Sequence, residues 1–313
     1  MSRRAWGAVL VAALIAGAPA LSPRPPDLQE DVAGARYLPP LARAQALTIR
    51  PDRIRIVTDL RRVEDGWEFT RAGERGRVAD SDLAAPPSPR RYLLGTDSLG
   101  RDLASRLLHG LRHSAAVAAL SVVLALGLGI AAGTIAGLSG GWRDALLMRA
   151  VDLMMSVPRV LVYLVCATLF RPSAALLVLV LGATTWTGLA RMVRARMAAL
   201  RGSDLALAGR ATGASPIAVA IRHLIPQAGP VIAVAAALRF ADTILLESVL
   251  SFLGLAAPPP AVSLGAIVAS GREALADAWW IALPPGIVIA ILVILVRSWS
   301  SRFMAAAEPL SSA

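Results

Sequence analysis

Apolar residues in this chain run in long, almost unbroken blocks, and arginine-rich polar stretches separate them. The first run, Ala5 to Leu21, follows Arg3 and Arg4 and reads as a first membrane helix within residues 1–22. Ala18-Pro19-Ala20 also has the small residues of a signal-peptide cleavage site, so both readings stand. Five longer blocks follow: Ala115–Leu138, Leu147–Phe170, Ser173–Leu189, Ala228–Leu253 and Ala278–Val296. Each is near the roughly 20 residues that cross about 30 Å of hydrocarbon. Gly127, Gly129, Pro158, Pro284 and Pro285 fall inside blocks, where membrane helices tolerate them. Small residues such as Ala131, Ala132 and Gly133 let helices approach closely. The pattern predicts an all-α integral membrane protein of about six transmembrane helices, or about five if the first run is cleaved.

A different pattern occupies 23–114. Leu47-Thr-Ile-Arg50, Ile54-Arg-Ile-Val57 and Trp67-Glu-Phe-Thr70 alternate apolar and polar residues, the period of a half-buried strand. Pro23-Arg-Pro-Pro26 opens the segment and Pro86-Pro87-Ser-Pro89 closes most of it. A small β-containing insertion after the first helix is expected. Asp97 and Asp102 flank a tight turn and read as helix caps. Leu103, Leu107, Leu108 and Leu111 then share one face, an amphipathic lead-in at the membrane interface.

Composition sharpens this picture. Hydrophobic residues make up 56% of the chain, and its net charge is +11. The mean hydropathy is +0.61. All 32 basic residues are arginine. Such a charge on a soluble protein would suggest nucleic acid. Here the arginines lie largely between apolar blocks, where they orient helices and meet anionic lipid, so no nucleic-acid partner is implied. With the N-terminus inside, Arg3, Arg4, Arg143, Arg149, Arg191, Arg194, Arg196, Arg201, Arg210, Arg222, Arg297 and Arg302 fall on the cytoplasmic side. Short outer loops hold only Arg171 and Arg272, a strong positive-inside bias. Segment 23–114 is then extracytoplasmic and 301–313 is a cytoplasmic tail. Without lysine the chain has no P-loop, so any ATP that drives it binds another subunit. Cys166, His109, His113 and His223 have no metal-ligand spacing. Ser215 or Ser251 with His223 makes no base–acid relay. No catalytic residue, metal or cofactor is expected on this chain.

The cytoplasmic loop 191–227 carries the most information. Asp204 suits an N-cap and Gly213 a helix C-terminus, which brackets one short helix. Ser215-Pro216 combines an N-cap with proline at the first helical position. The second helix should end near Leu224, and Pro226 then restarts the chain into the membrane. The result is a helix–glycine–helix elbow lined with Ala208, Gly209, Ala211 and Ala214, with Leu207, Arg210 and Arg222 on its helices. Small residues on such an elbow suit close docking of a large partner. Inside the fifth block, Arg239 and Asp242 are three apart and can pair on one helix face. With Glu247 and Ser251 they are candidates for lining a pathway, because charges at membrane depth usually face a bundle interior or a cavity.

The loop resembles the coupling loop of binding-protein-dependent ABC permeases, with Gly213 and Pro226 at the expected separation. Other segments are similar to the dipeptide/oligopeptide/nickel branch. They include Leu94-Gly-Thr-Asp97-Ser-Leu-Gly100-Arg-Asp102 with Ser105, Arg106, Gly110 and Arg112, then Gly140-Gly-Trp-Arg-Asp144 with Met148, Arg149 and Asp152. Ala190-Arg191 through Arg194, Glu247-Ser-Val-Leu-Ser-Phe-Leu-Gly254 and Trp279-Trp280 complete the likeness, which covers about Leu94 to Ala290. It implies the permease fold and a pathway for peptides or similar small solutes, nickel among them. It also implies a second, similar permease, two ATPase subunits and an extracytoplasmic solute-binding protein, all in the bacterial inner membrane. Where the family's coupling motif has Glu and a second Ala, this chain has Leu207 and Gly209. Its tail from Arg297 keeps only Glu308-Pro309 of the family's pattern, and Arg239 and Asp242 stand where that branch is usually apolar. A rival reading is a secondary transporter with an ion relay at Arg239, Asp242 and Glu247. Such folds carry internal repeats, and none is visible here.

Overall fold

The computed structural model describes residues 17–49, 53–255 and 262–307. Most of the first apolar run, the end of the tail and the segment after Leu255 lie outside these residues. The described chain forms two compact units. One is drawn from 1–114, 251–254 and 259–288, and the other from 115–250, 255–258 and 289–313.

In the first unit a four-residue helix, α1 (Val32–Ala35), precedes five antiparallel strands. These are β1 (Ala42–Ile49), β2 (Arg53–Val63), β3 (Gly66–Arg71), β4 (Glu74–Ala79) and β5 (Leu83–Tyr92), in sheet order β4-β3-β2-β1-β5. The three alternating segments fall in β1, β2 and β3. The expectation that Pro86-Pro87-Ser-Pro89 closes the segment is corrected, because those prolines lie inside β5. It is an edge strand, where a missing N–H breaks no ladder. Charge-rich β4 follows a two-residue turn at Ala72 and Gly73. Both have positive φ, as the tight hairpin requires. Leu47, Val57, Phe69 and Val78 pack in one core, and Ala35, Ala44, Ala46, Ile56 and Tyr92 in another.

Asp31 ties this unit together. It caps α1 through the Gly34 amide at 3.1 Å, accepts the Ile56 amide at 2.9 Å, and takes a bidentate guanidinium from Arg71 at 2.8 and 2.9 Å. Burial alone would push its carboxyl up. The Arg71 guanidinium and the two amides more than offset that and hold it below the usual carboxylate range.

Asp102 caps the helix that follows, as expected, while Asp97 closes the turn before it. Asp97 accepts the Leu99 and Arg101 amides, and Asp102 accepts the Ser105 amide at 2.7 Å. From there α2 (Leu103–Ser139) runs 37 residues without interruption. At about 1.5 Å per residue that is roughly 55 Å, so lead-in and span are one helix. Later in the same unit, α10 (Leu264–Gly271) is capped by Ser263 and lies close enough to Gly110 that a Cβ there would meet Ile267 at 3.1 Å.

The second unit corrects two block boundaries. Leu147–Phe170 is not one straight helix. It is α3 (Gly141–Ser156) and α4 (Arg159–Leu169), bent by 78°. Proline disfavours the helical conformation at the residue before it, and Val157 is extended at φ −91°, ψ 125°. The next block is longer than expected. Helix α5 (Ala174–Leu200) continues past Leu189 through Arg191 and Arg194, whose charges read as a loop. Those arginines pair with α3 instead, Arg194 with Asp144 at 2.5 Å and Arg191 with Asp152. Beyond the elbow come α9 (Gly229–Phe252) and α11 (Leu283–Ala307). Pro284 and Pro285 sit in the first turn of α11, where no intrahelical donor is lost.

Helices α2 and α5 meet on a glycine ridge. A Cβ on Gly129, Gly133 or Gly137 would come within 2.8 Å of Leu189, 2.6 Å of the Ala190 carbonyl or 2.6 Å of Met197. Four-residue spacing puts all three on one face, the small-residue contact that lets membrane helices touch backbone to side chain. Among the described residues four helices are long and apolar enough to cross a membrane, or five if the bent pair counts as one span.

Candidate functional site

The elbow is built by caps. Arg201 and Gly202 end α5, and α6 (Asp204–Ala211) begins at once. Its N-cap is Ser203, whose Oγ accepts the Ala206 amide at 3.4 Å and whose carbonyl accepts that of Leu207 at 3.0 Å. The expected cap, Asp204, is the first helical residue, where its carboxylate meets the positive end of the helix dipole. At the far end Gly213 has φ +76°, and the Ala214 amide reaches back to the Gly209 carbonyl at 3.3 Å, the wrap of a glycine C-terminus. Ser215 then caps α7 (Pro216–Val219) through the Ala218 amide at 3.2 Å, with Pro216 at the first position.

Past this point the expectation fails. The helix does not end near Leu224 for Pro226 to restart. A π turn over Ala220–Leu224 leads directly into α8 (Ile225–Gln227), which contains Pro226. Proline cannot donate to the carbonyl one turn back, and its ring crowds that carbonyl. A wider turn relieves both problems without breaking the helix.

The elbow has two faces. Ala206, Val219 and Leu224 are buried with Leu189, Val193, Met197 and Leu200 of α5 and with Ala228 and Ala235. Here Gly209 leaves room for Val219, since a Cβ at 209 would come 2.9 Å from a Val219 methyl and force that side chain to shift. On the other face Leu207, Ile217 and Ile221 are 54%, 71% and 61% exposed. Ala208, Ala211, Ser215, Arg222 and Pro226 are exposed there too, Ala214 is half-buried, and Arg210 lies in α6. The result is a set of exposed aliphatic side chains with a basic neighbour, Arg222, on an elbow packed against α5. Exposed apolar patches mark protein or membrane contacts.

The second group of candidates does not form one cluster. Arg239 and Asp242 of α9 do approach, at 3.7 Å, but the closer partner of Asp242 is Arg297 of α11 at 2.9 Å. Arg239 also lies over Gly188 of α5, where a Cβ would stand 2.9 Å from its guanidinium. Glu247 and Ser251 are buried farther along the chain. Sequence reading missed Arg297 because it follows an apolar run and reads as an orienting charge. Only the fold brings two distant blocks together. No group of three or more His, Cys, Asp or Glu able to hold a metal occurs among the described residues.

Comparisons with known proteins bear on both groups. Residues 129–309 match the profile of the family described as binding-protein-dependent transport system inner membrane component. A Brucella suis biovar 1 protein assigned as a peptide permease is 40% identical over 221 residues, 69% of this chain and 73% of its own. The oligopeptide transport system permease protein OppC of Mycobacterium bovis is 32% identical over 231 residues, 73% of this chain and 79% of its own. Among solved structures, the inward-facing MetNI methionine ABC transporter matches with a TM-score of 0.53 at 19% identity. That match covers 64% of this chain and 95% of the other, and it supports the fold alone. With several membrane-length helices and a family match over more than half its length, this chain belongs to the inner-membrane permease family of binding-protein-dependent ABC importers.

Proposed function

We propose that this permease forms half of a peptide pathway through the bacterial cytoplasmic membrane, and that its elbow couples the pathway to ATP hydrolysis on separate subunits. A second, similar permease supplies the other half. Two ATPase subunits dock on the elbows, and an extracytoplasmic binding protein delivers solute. The first apolar run completes six spans. Segment 23–114 then lies outside and 301–313 inside. Peptide is favoured as cargo because the relatives that cover most of this chain bear peptide or oligopeptide names.

One observation carries the coupling role. The elbow exposes Leu207, Ile217 and Ile221 while Ala206, Val219 and Leu224 lock its underside to α5. A partner gripping the outer face therefore pulls on a membrane helix and not on a loose loop. Gly213 tests this cleanly. A Cβ there meets nothing within 4 Å, yet φ is +76°, where a β-branched residue is strained. Gly213→Val thus changes elbow shape without a clash. The variant is expected to insert normally and, reconstituted with its partners in vesicles, to lose ATP-driven uptake while hydrolysis falls or runs uncoupled. Uptake at the unaltered rate would sink the coupling role.

A further inference from the structure

Two arginines from two helices pair with one carboxylate in the second unit. Arg297 of α11 holds Asp242 at 2.9 Å, and Arg239 of α9 stands 3.7 Å from its other oxygen. Arg159, half-buried where α4 opens after the bend, lies within electrostatic reach of both Arg239 and Asp242. Asp242 and Arg297 alone would be neutral. Arg159 and Arg239 add two positive charges to that pair.

Position makes this surplus informative. Arg239 and Asp242 lie ten and thirteen residues into α9, roughly 15–20 Å from its Gly229 end. Gly188, under the Arg239 guanidinium, stands just before Arg191 and Arg194 of α5, and Arg297 just after the apolar run of α11, so the cluster lies toward the arginine-rich end of these helices. Charge within a helix bundle persists when it faces a cavity or a counter-charge.

We infer that Arg159 and Arg239, arranged around the Arg297–Asp242 pair, bind an acidic side chain of the transported solute as it passes through this subunit. The inference rests on the transport role proposed above and adds charge selectivity to it. Two guanidinium groups supply the planar donors that carboxylates prefer. Asp242 competes for the same donors and so keeps the passing anion from being held too tightly, which conduction requires.

The test uses the whole importer, with its partner permease, ATPases and binding protein, in vesicles. ATP-driven uptake of Ala-Glu-Ala, Ala-Gln-Ala and Ala-Lys-Ala is compared among the unaltered complex, Arg159→Gln and Arg239→Gln. These variants leave the Arg297–Asp242 pair in place. Taking the ratio of variant to unaltered uptake for each peptide cancels any preference of the binding protein. Each variant is expected to lower the acidic-peptide ratio about tenfold relative to the neutral one, the effect of one lost charge-assisted contact. Equal ratios for all three peptides would overturn the inference. So would an acidic-peptide deficit that appears with phosphatidylglycerol and vanishes in phosphatidylcholine alone, since the bound anion would then be lipid. If the unaltered importer takes up none of the peptides, the peptide reading fails by itself. The site is then decided by whether sodium glutarate, against sodium chloride of equal ionic strength, raises the melting temperature of the unaltered complex more than that of Arg159→Gln. A larger rise supports the site, and equal rises remove it.

Discussion

Replacing Gly133 by alanine should destabilise the permease far more than the same change at Gly127, six residues earlier in the same helix. At Gly133 a new Cβ would sit 2.6 Å from the Ala190 carbonyl oxygen, 2.7 Å from the Val193 Cβ and 3.0 Å from the Arg194 amide. Ordinary contact begins at 3.4 Å, so the closest approach is about 0.8 Å too short. Two of the three obstacles are backbone atoms of α5 and cannot swing aside. Relief requires α2 and α5 to separate along the whole ridge, which also loosens the Gly129 and Gly137 contacts. Overpacking of this kind costs about 1–3 kcal/mol. Alanine gains up to about 1 kcal/mol of helix propensity at either position, so the difference between the two variants is the packing cost of about 1–3 kcal/mol. At Gly127 a Cβ meets nothing within 4 Å, so only the favourable propensity remains. Thermal unfolding of the two variants in one detergent measures the difference. Equal midpoints, or a higher midpoint for Gly133→Ala, would refute a close-packed α2–α5 ridge.

Three further outcomes follow from the contacts described. Asp31 has its folded pKa lowered, so it adds stability above the unfolded value of about 3.9 and loses it as the pH falls through the folded value. Hydrogen-exchange protection of β2 and β3 in the full-length protein should therefore differ between the unaltered chain and Asp31→Asn at neutral pH, with the gap closing below about pH 4. A gap unchanged from pH 7 to 3 would exclude this linkage. Asp242→Leu should lower the yield of folded protein more than Arg239→Leu, and adding Arg239→Leu to it should restore little, because Arg297 stays stranded. Full rescue by the double change would show that Arg239, not Arg297, is the main partner. Ser215→Ala should remove the cap of α7 at a cost of about 1 kcal/mol, and Ser215→Asn should retain it. Identical exchange at the Ala218 amide in both variants would count against the cap.

The features legible in the sequence are those set by a few consecutive residues. The Ser215-Pro216 start, the Gly213 terminus and the strands at 47, 54 and 67 depend on local pattern, and each lies where that pattern puts it. The misread features depend on a neighbour. Arginines in a helix read as its end, but Arg191 and Arg194 are held by Asp152 and Asp144 of another helix, so α5 carries on. Prolines read as a boundary, but β5 is an edge strand and loses nothing by them. Pro226 read as a restart until a π turn upstream made room for it. Arg297 read as an orienting charge, and only tertiary packing brings it to Asp242.

These contacts also limit how motion can pass through the second unit. The elbow's inner residues Ala206, Val219 and Leu224 share one core with Met197 and Leu200 of α5, so α6 and α7 cannot shift without moving that helix end. Along its length α5 is held against α2 by the glycine ridge, where backbone and side chain already stand at their closest approach. On another side it is held to α3 by Arg194–Asp144 and Arg191–Asp152. Packed interfaces resist small continuous deformation, so force applied at the elbow moves α5, α2 and α3 together. Compliance lies where packing is interrupted, at the extended Val157–Pro158 link between α3 and α4. Arg159 begins α4 at that link. A change in the 78° bend would therefore carry its guanidinium toward or away from Asp242, linking the elbow to the charged cluster through packed helices.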